Sequence, residues 1–271
     1  MSVEVTIKPS RGLRIDLGEI WRYRELLYSI VLRDIKIRYK QTVIGVGWAL
    51  LQPLAMMLLF TLFFGRFIKL PTENMPYAVF ALSGSVFWTY FSGALSGAAN
   101  SLQQYRYLIG KIYFPRLILP LASILIGVID LIVSLVLLIV FTLIYGVQPN
   151  VTLLLIPIFA LAVVFASFSI GVWLSALNAL YYDIRYILPF FIQIWLFASP
   201  VVYPASAVPE KWRLLYELNP MVGILEGFRW CIAGAGHFPS SFWISMVVCA
   251  MLFFTGVLYF YKIESTIADL I

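Results

Sequence analysis

The sequence predicts an all-α integral membrane protein: six transmembrane helices, preceded by an amphipathic helix at the membrane interface and followed late in the chain by short re-entrant helices at the external face. Three observations carry this. Of the 271 residues, 62% are hydrophobic and only 12% charged, against roughly 25% charged in soluble domains, so the excess apolar surface needs lipid to face. Charge-free apolar stretches recur at lengths that, at about 1.5 Å per residue, cross a ~30 Å hydrocarbon core. Nine of the nineteen Lys and Arg precede Thr42, which is a topology signal before it is a nucleic-acid footprint.

Residues 1–40 are read as a cytoplasmic N-terminal region. Met1 to Pro9 lacks the basic, apolar and small-residue order of a cleavable signal. From Leu17 to Lys40 the residues repeat at helical period. Glu25, Ser29, Arg33, Lys36 and Lys40 fall on one face, and Ile20, Tyr23, Leu27, Ile30, Val31 and Ile35 on the other. Such a helix lies in the cytoplasmic interface; a merely solvated basic face is the alternative. Arg24, Asp34 and Arg38 project toward the apolar side, where Asp34 and Arg38 can pair at i, i+4.

Residues 41–271 are read as the transmembrane domain, with spans near 44–64, 78–97, 117–145, 153–177, 187–202 and 242–261. The third contains Asp130, the one clear intramembrane charge, at a cost of about 2.5–3.5 kcal/mol if it sits at the helix centre. The turn Gly146-Val-Gln-Pro-Asn150 separates the third span from the fourth, and the short fifth ends at Pro200 and Pro204. With the N-terminus inside, fourteen of the nineteen basic residues are cytoplasmic, so both termini are expected inside and six spans satisfy the parity.

The two inner loops, NSLQQYRYLIGKIYFPR from Asn100 and NALYYDIR from Asn178, suit elbows that touch a cytoplasmic protein, or ordinary positive-inside connectors. From Tyr203 to Gly236 the chain is semi-polar, with Pro204, Pro209 and Pro220 flanking two short helical patterns. The second is too apolar for a free loop yet carries Glu226 and Arg229 at i, i+3. Broken helices at membrane depth need protein or a water-filled cavity around them, which favours a re-entrant external gate over a seventh span.

Aromatic residues make up 17% of the chain. Trp88, Tyr90 and Phe91 in the second span and Phe190, Phe191, Trp195 and Phe197 in the fifth are the densest groups. Sugar C–H faces pack on aromatic rings, so these are candidates to line a wet channel; for each, lipid or a neighbouring helix is the competing environment.

Several chemistries lack their parts. Cys231 and Cys249 have no metal or redox spacing, and His237, the only histidine, sits between glycines in a loop, so neither a zinc site nor a Ser/His/Asp triad is indicated. No G-x-x-x-x-G-K-[ST] loop is present, so ATP is not used here by that route. Intramembrane charges are too few for an ion-coupled carrier. A transferase acting on lipid-linked sugars would need clustered Asp, Glu or His at one surface, and no such cluster is visible.

The segments RDIKIRYKQTVIGVGWALLQPL (from Arg33), FPRLILPLAS (from Phe114), LSALNALYYDIRYILPF (from Leu174), SPVVYP (from Ser199) and LNPMVGILEGFRW (from Leu218) resemble the permease subunits of ABC exporters for cell-surface polysaccharides, such as O-antigen, teichoic acid and capsule. They occur in that family's order across nearly the whole chain. The resemblance implies a homodimer enclosing a channel in the bacterial inner membrane and two cytoplasmic ATP-binding cassette subunits that hold ATP and magnesium. This chain would need no cofactor or metal and bind no nucleic acid, and its substrate would be a lipid-linked polysaccharide; a drug or small-lipid exporter is the alternative. It assigns Arg33, Lys36, Arg106, Lys111, Asn178, Asp183 and Arg185 to the ATPase contact and Arg38 and Tyr39 to the channel entrance. Tyr203, Asn219, Pro220, Glu226 and Arg229 fall to the external gate. Tyr182 precedes Asp183 where many members of that family carry Arg.

Overall fold

A computed structural model of the chain describes residues 17–40, 45, 47–70, 72, 75–234 and 236–270, with side chains described from Gly18 to Glu264. Residues 1–16, including the stretch read for a signal sequence, and Ile44, where the first span is expected to begin, lie outside the described residues. Twelve α-helices and no strand occur among the described residues.

The N-terminal helices are α1 (Leu17–Arg22) and α2 (Arg24–Lys40). The apolar edge of α2 docks on protein. Ile30 is buried, and Tyr23, Leu27 and Val31 pack with Leu102, Phe114, Leu117, Val172 and Phe260 in a small core at one end of the molecule. Arg33, Lys36 and Lys40 stay exposed, as the helical repeat requires. The edge read as lipid-facing thus lies partly on the bundle, because the ends of several long helices converge beneath it.

Next come α3 (Gly47–Phe60), which continues as a π-helix over Thr61–Phe67, then α4 (Tyr77–Gln104) and the one-turn α5 (Arg106–Ile109). Helices α6 (Ile118–Ile126) and α7 (Val128–Ile144) meet at Gly127 and form one rod. A 3₁₀ turn, Val151–Leu155, leads into α8 (Ile156–Leu180). Then follow α9 (Ile184–Phe197), α10 (Glu210–Glu217), α11 (Pro220–Ala233) and α12 (Ser241–Leu270).

Five helical rods are long and apolar enough to cross a membrane: Gly47–Phe67, Tyr77–Gln104, Ile118–Ile144, Val151–Leu180 and Ser241–Glu264. Each coincides with a span expected from the sequence, usually extended by a few residues. The remaining apolar helix, α9, has 14 residues and is about 21 Å long, short of a ~30 Å core. It stops where Ser199 and Pro200 turn the chain toward α10.

Helix α4 is the central element, packed against α3, α6, α7 and α8 and buried along most of its length. Its small residues make this possible by letting backbones approach. A Cβ added at Gly84 would stand 2.6 Å from the Val201 carbonyl oxygen, and one at Gly171 of α8 would stand 2.9 Å from Ala98. Large rings fill the remaining space: Phe87 lies 4.1 Å from Phe228 between centroids, and Phe91 meets Trp195 edge-on at 5.3 Å. The outward faces of α3 and α7 are apolar and exposed, including Leu58, Phe63, Ile132, Val136 and Val140, as a lipid-facing surface requires.

Candidate functional site

A cavity of about 680 Å³ opens among α2, α3, α4, α6, α7 and α9, within the range of roughly 300–1,000 Å³ usual for ligand sites. Along α4 it runs from Val86 to Ser96, about 15 Å of helix. It therefore reaches from the end that carries α2 to the middle of the bundle.

The wall carries polar side chains among apolar ones. Gln52, Thr89, Ser92, Ser96, Ser123 and Ser134 line it. Thr89, Ser92, Gly93 and Ser96 share one face of α4 through the 3.6-residue repeat. Ser92 and Ser96 donate to the carbonyls of Thr89 and Ser92 at 3.2 and 2.9 Å, which makes them tolerable within a helix. Ser134 has a different task. Pro53 inside α3 has no N–H for the carbonyl of Ala49 one turn earlier, and the Ser134 hydroxyl of α7 donates to that carbonyl at 2.9 Å. A proline break beside the cavity is thereby repaired from a neighbouring helix.

A charged clasp stands at the mouth. The Arg38 guanidinium reaches Asp130 of α7 at 2.7 Å, and the Tyr39 hydroxyl donates to the same carboxylate. Burial, aided by the Asp130 carboxylate, pushes the Tyr39 phenol up to about 12. The intramembrane charge is thus paired and hydrogen-bonded, the condition under which a buried carboxylate is tolerated. A second clasp lies one turn back. The Tyr105 hydroxyl donates to Asp34, Arg33 pairs with Asp34 at 3.0 Å, and the Arg33 guanidinium lies 5.2 Å from the Tyr105 ring centroid. Burial and the Asp34 carboxylate also raise the Tyr105 phenol. Asp34 and Arg38, expected to pair along α2, are instead held by these contacts to α7 and to the end of α4. Helical spacing alone cannot anticipate partners that folding brings from elsewhere.

Arg33, Lys36, Arg106, Lys111, Asp183 and Arg185 are exposed and gather at the α2 end. Asn178 does not join them. It is buried, its side-chain amide nitrogen donates to the Ala99 carbonyl at 2.7 Å, and its backbone carbonyl accepts from Gln103 at 3.2 Å. It straps α8 to α4 from inside.

The aromatic candidates divide. Trp88 and Phe91 turn off the cavity face of α4 and are buried in the main core, so they do not line an open path within the subunit. Tyr90 touches the cavity and donates to the Ile124 carbonyl at 3.3 Å. Phe190, Phe191 and Phe197 are exposed on α9, and Trp195 is half-buried. The cavity wall thus combines hydroxyl groups with apolar side chains such as Trp48, Val86, Leu131 and Ile192. The signal that could have shown the hydroxyl groups is the i, i+3, i+7 run Thr89, Ser92, Ser96.

At the opposite end the gate candidates are held in several separate sets of hydrogen bonds. Asn219 caps α11, accepting from Met221 N at 3.1 Å and Trp195 Nε1 at 3.0 Å and donating to the Ala198 carbonyl and Ser199 Oγ, both at 2.9 Å. Pro220 follows at the first helical position, where its missing N–H is harmless. Arg229, 7% exposed, donates to the carbonyls of Pro200 and Val201, the latter at 2.9 Å, and lies 3.5 Å from the Phe80 ring centroid. Irregular backbone after α9 leaves carbonyls that no helix satisfies, and the Arg fork supplies the donors. Glu226 accepts from Ser241, and Tyr216 donates to Tyr203 at 3.2 Å.

Residues 25–233 match the family model described as ABC-2 type transporter. The chain is 30% identical over 213 residues to the O-antigen export system permease protein RfbA of Myxococcus xanthus, covering 78% of this chain and 81% of that protein. It is 26% identical over 221 residues to the protein of the same name from Klebsiella pneumoniae, covering 81% and 83%. It is 21% identical over 200 residues to the polysialic acid transport protein KpsM of Escherichia coli, covering 73% and 77%.

Proposed function

Because the chain belongs to the ABC-2 type transporter membrane family, we propose that it is the membrane-spanning permease subunit of an ATP-driven exporter of lipid-linked, O-antigen-like polysaccharide. Family membership implies an ATP-binding cassette partner in the membrane-bound complex. The observation that carries the reading is a cavity, about half a bilayer deep, whose wall sets Gln52, Thr89, Ser92, Ser96, Ser123 and Ser134 among apolar side chains. A sugar chain needs hydroxyl partners beside apolar faces, whereas a purely apolar drug or lipid site needs none. The export roles printed for the relatives support the same cargo class.

In this reading both termini are cytoplasmic, α9 completes a sixth crossing, and α10 with α11 forms the external gate. Two copies enclose the path in the bacterial inner membrane. Two ATPase subunits bind ATP and magnesium and press on the exposed cations Arg33, Lys36, Arg106, Lys111 and Arg185 and on Asp183. Arg38 and Tyr39 stand at the cytoplasmic entrance, and α2 transmits the movement of the ATPases to it through Asp130.

Deletion of the chain is expected to strip the polymer from the cell surface and leave lipid-linked polymer inside, with the same phenotype when the partner's ATPase is inactivated. Surface polymer at normal levels in either strain refutes the proposal.

A further inference from the structure

The two inner loops share one root. The loop from Asn100 leaves the end of α4, the loop from Asn178 leaves the end of α8, and these two helices pack side by side. Midway along, their contact is apolar and close, with Gly171 of α8 against Ala98 of α4. Toward the loops it becomes polar. Ser101 Oγ and Ser175 Oγ stand 3.4 Å apart. Asn178 Nδ2 donates to the Ala99 carbonyl at 2.7 Å and to Asn100 Oδ1 at 3.3 Å, and Gln103 Nε2 donates in the other direction, to the Asn178 backbone carbonyl, at 3.2 Å. Asn100 is itself steadied by donating to the Ser96 carbonyl at 2.8 Å. Three amide hydrogen bonds therefore cross between the last turns of α4 and α8.

Asn178 is 1% exposed. Leu would fill a similar volume there with a better helix propensity and no polar group to satisfy. What Asn supplies is direction: an apolar contact lets two helices slide or roll, whereas hydrogen bonds weaken steeply once their angle is lost. The knot stands at the root of the loop that carries Arg106 and Lys111 and of the loop that carries Asp183 and Arg185. A push on one loop is thus passed to the other.

We propose that Asn178 is a positioning residue that yokes the two inner loops into one body, so that force applied to either moves α4 and α8 together. The assignment rests on the reading of the chain as an exporter permease driven by a partner ATPase. It adds the residue that makes two separate contact loops act as one.

The test uses the full complex, permease with its ATPase subunits, and measures polymer exported per ATP hydrolysed. Asn178→Leu removes two of the three amide bonds and keeps the bulk. The ratio is expected to fall about tenfold, the size of effect that two lost hydrogen bonds produce, with KM for ATP unchanged. Gln103→Leu, which removes the remaining bond from a half-buried position, should lower the ratio less. The double variant should lose less than the product of the two single effects, because residues of one knot are not additive. A complex that is merely less folded loses export and hydrolysis in proportion and keeps the ratio.

An unchanged ratio in both single variants, or losses in the double variant that multiply as for independent sites, overturns the yoke. The deletion phenotype separates this from the broader reading: loss of surface polymer on deletion combined with an unchanged ratio in Asn178→Leu and Gln103→Leu sinks the yoke alone.

Discussion

Replacing Asp130 with Ala removes the acceptor shared by Arg38 and Tyr39. The Tyr39 bond, from a hydroxyl to a charged acceptor in a partly buried site, contributes about 1.5–3 kcal/mol. The Arg38 pair contributes less. Its guanidinium side chain is 53% exposed against 17% for Asp130, which places the pair near the surface range of about 0.2–1 kcal/mol. The attachment of α2 to α7 therefore weakens by about 2–4 kcal/mol, roughly a 30- to 700-fold shift in the equilibrium for lifting α2. Removing a carboxylate from a membrane helix also relieves about 2.5–3.5 kcal/mol of insertion cost. The bundle as a whole should melt at nearly the same temperature while α2 loosens. Hydrogen exchange followed by mass spectrometry in nanodiscs separates the two effects. Peptides from the C-terminal half of α2 should exchange at least roughly 30-fold faster in Asp130→Ala, with α4 and α8 unchanged. Asp130→Asn, which keeps an acceptor for Tyr39, should fall between. Unchanged exchange of α2 in Asp130→Ala refutes the clasp.

Arg229→Ala leaves the buried carbonyls of Pro200 and Val201 without donors and should cost about 2–6 kcal/mol, at about 1–3 for each. A thermal melt in detergent reads it, and Arg229→Lys should recover only part. Gly223→Ala drives a Cβ to 2.6 Å from Phe242 Cα, a backbone atom that cannot swing aside. The expected loss is about 1–3 kcal/mol, with α11 separating from α12 before the rest of the bundle opens. For pH, Tyr39 is raised from 10.0 to about 12, so the attached state holds the proton more tightly than the detached one. The contribution of Tyr39 is fully present below pH 10 and declines as pH rises toward 12. The tyrosinate absorbance lost in Tyr39→Phe should titrate near 12 in the intact protein and lower in Asp130→Ala, with burial keeping it above 10; the same titration in both contradicts the clasp.

Five of the six expected spans were legible as long apolar helices because a span is a local property. About twenty apolar residues in a row need lipid or a buried core whatever their neighbours do. The amphipathic repeat of α2 was legible for the same reason, as was Pro220 at the start of α11. The site was less so. Trp88 and Phe91 stand beside Thr89 and Ser92 in sequence, and composition could not say which face of α4 meets a cavity and which meets the core. Asn178, in a loop motif that suggests a partner contact, turned inward because the Ala99 carbonyl of α4 lay within reach.

Hydrophobic length, the crowding of positive charge near the start and the family motifs were determined by the sequence alone: an all-helical membrane protein of the ABC-2 type transporter family. Tertiary structure alone decided the partner of each isolated polar group. Asp130 finds Arg38 and Tyr39 some ninety residues earlier, the carbonyl freed by Pro53 finds Ser134, and the turn after α9 finds Arg229. In a low-dielectric interior an unpaired polar group is costly, so each must have a partner. Which one it has depends on helix packing, and no local pattern encodes that.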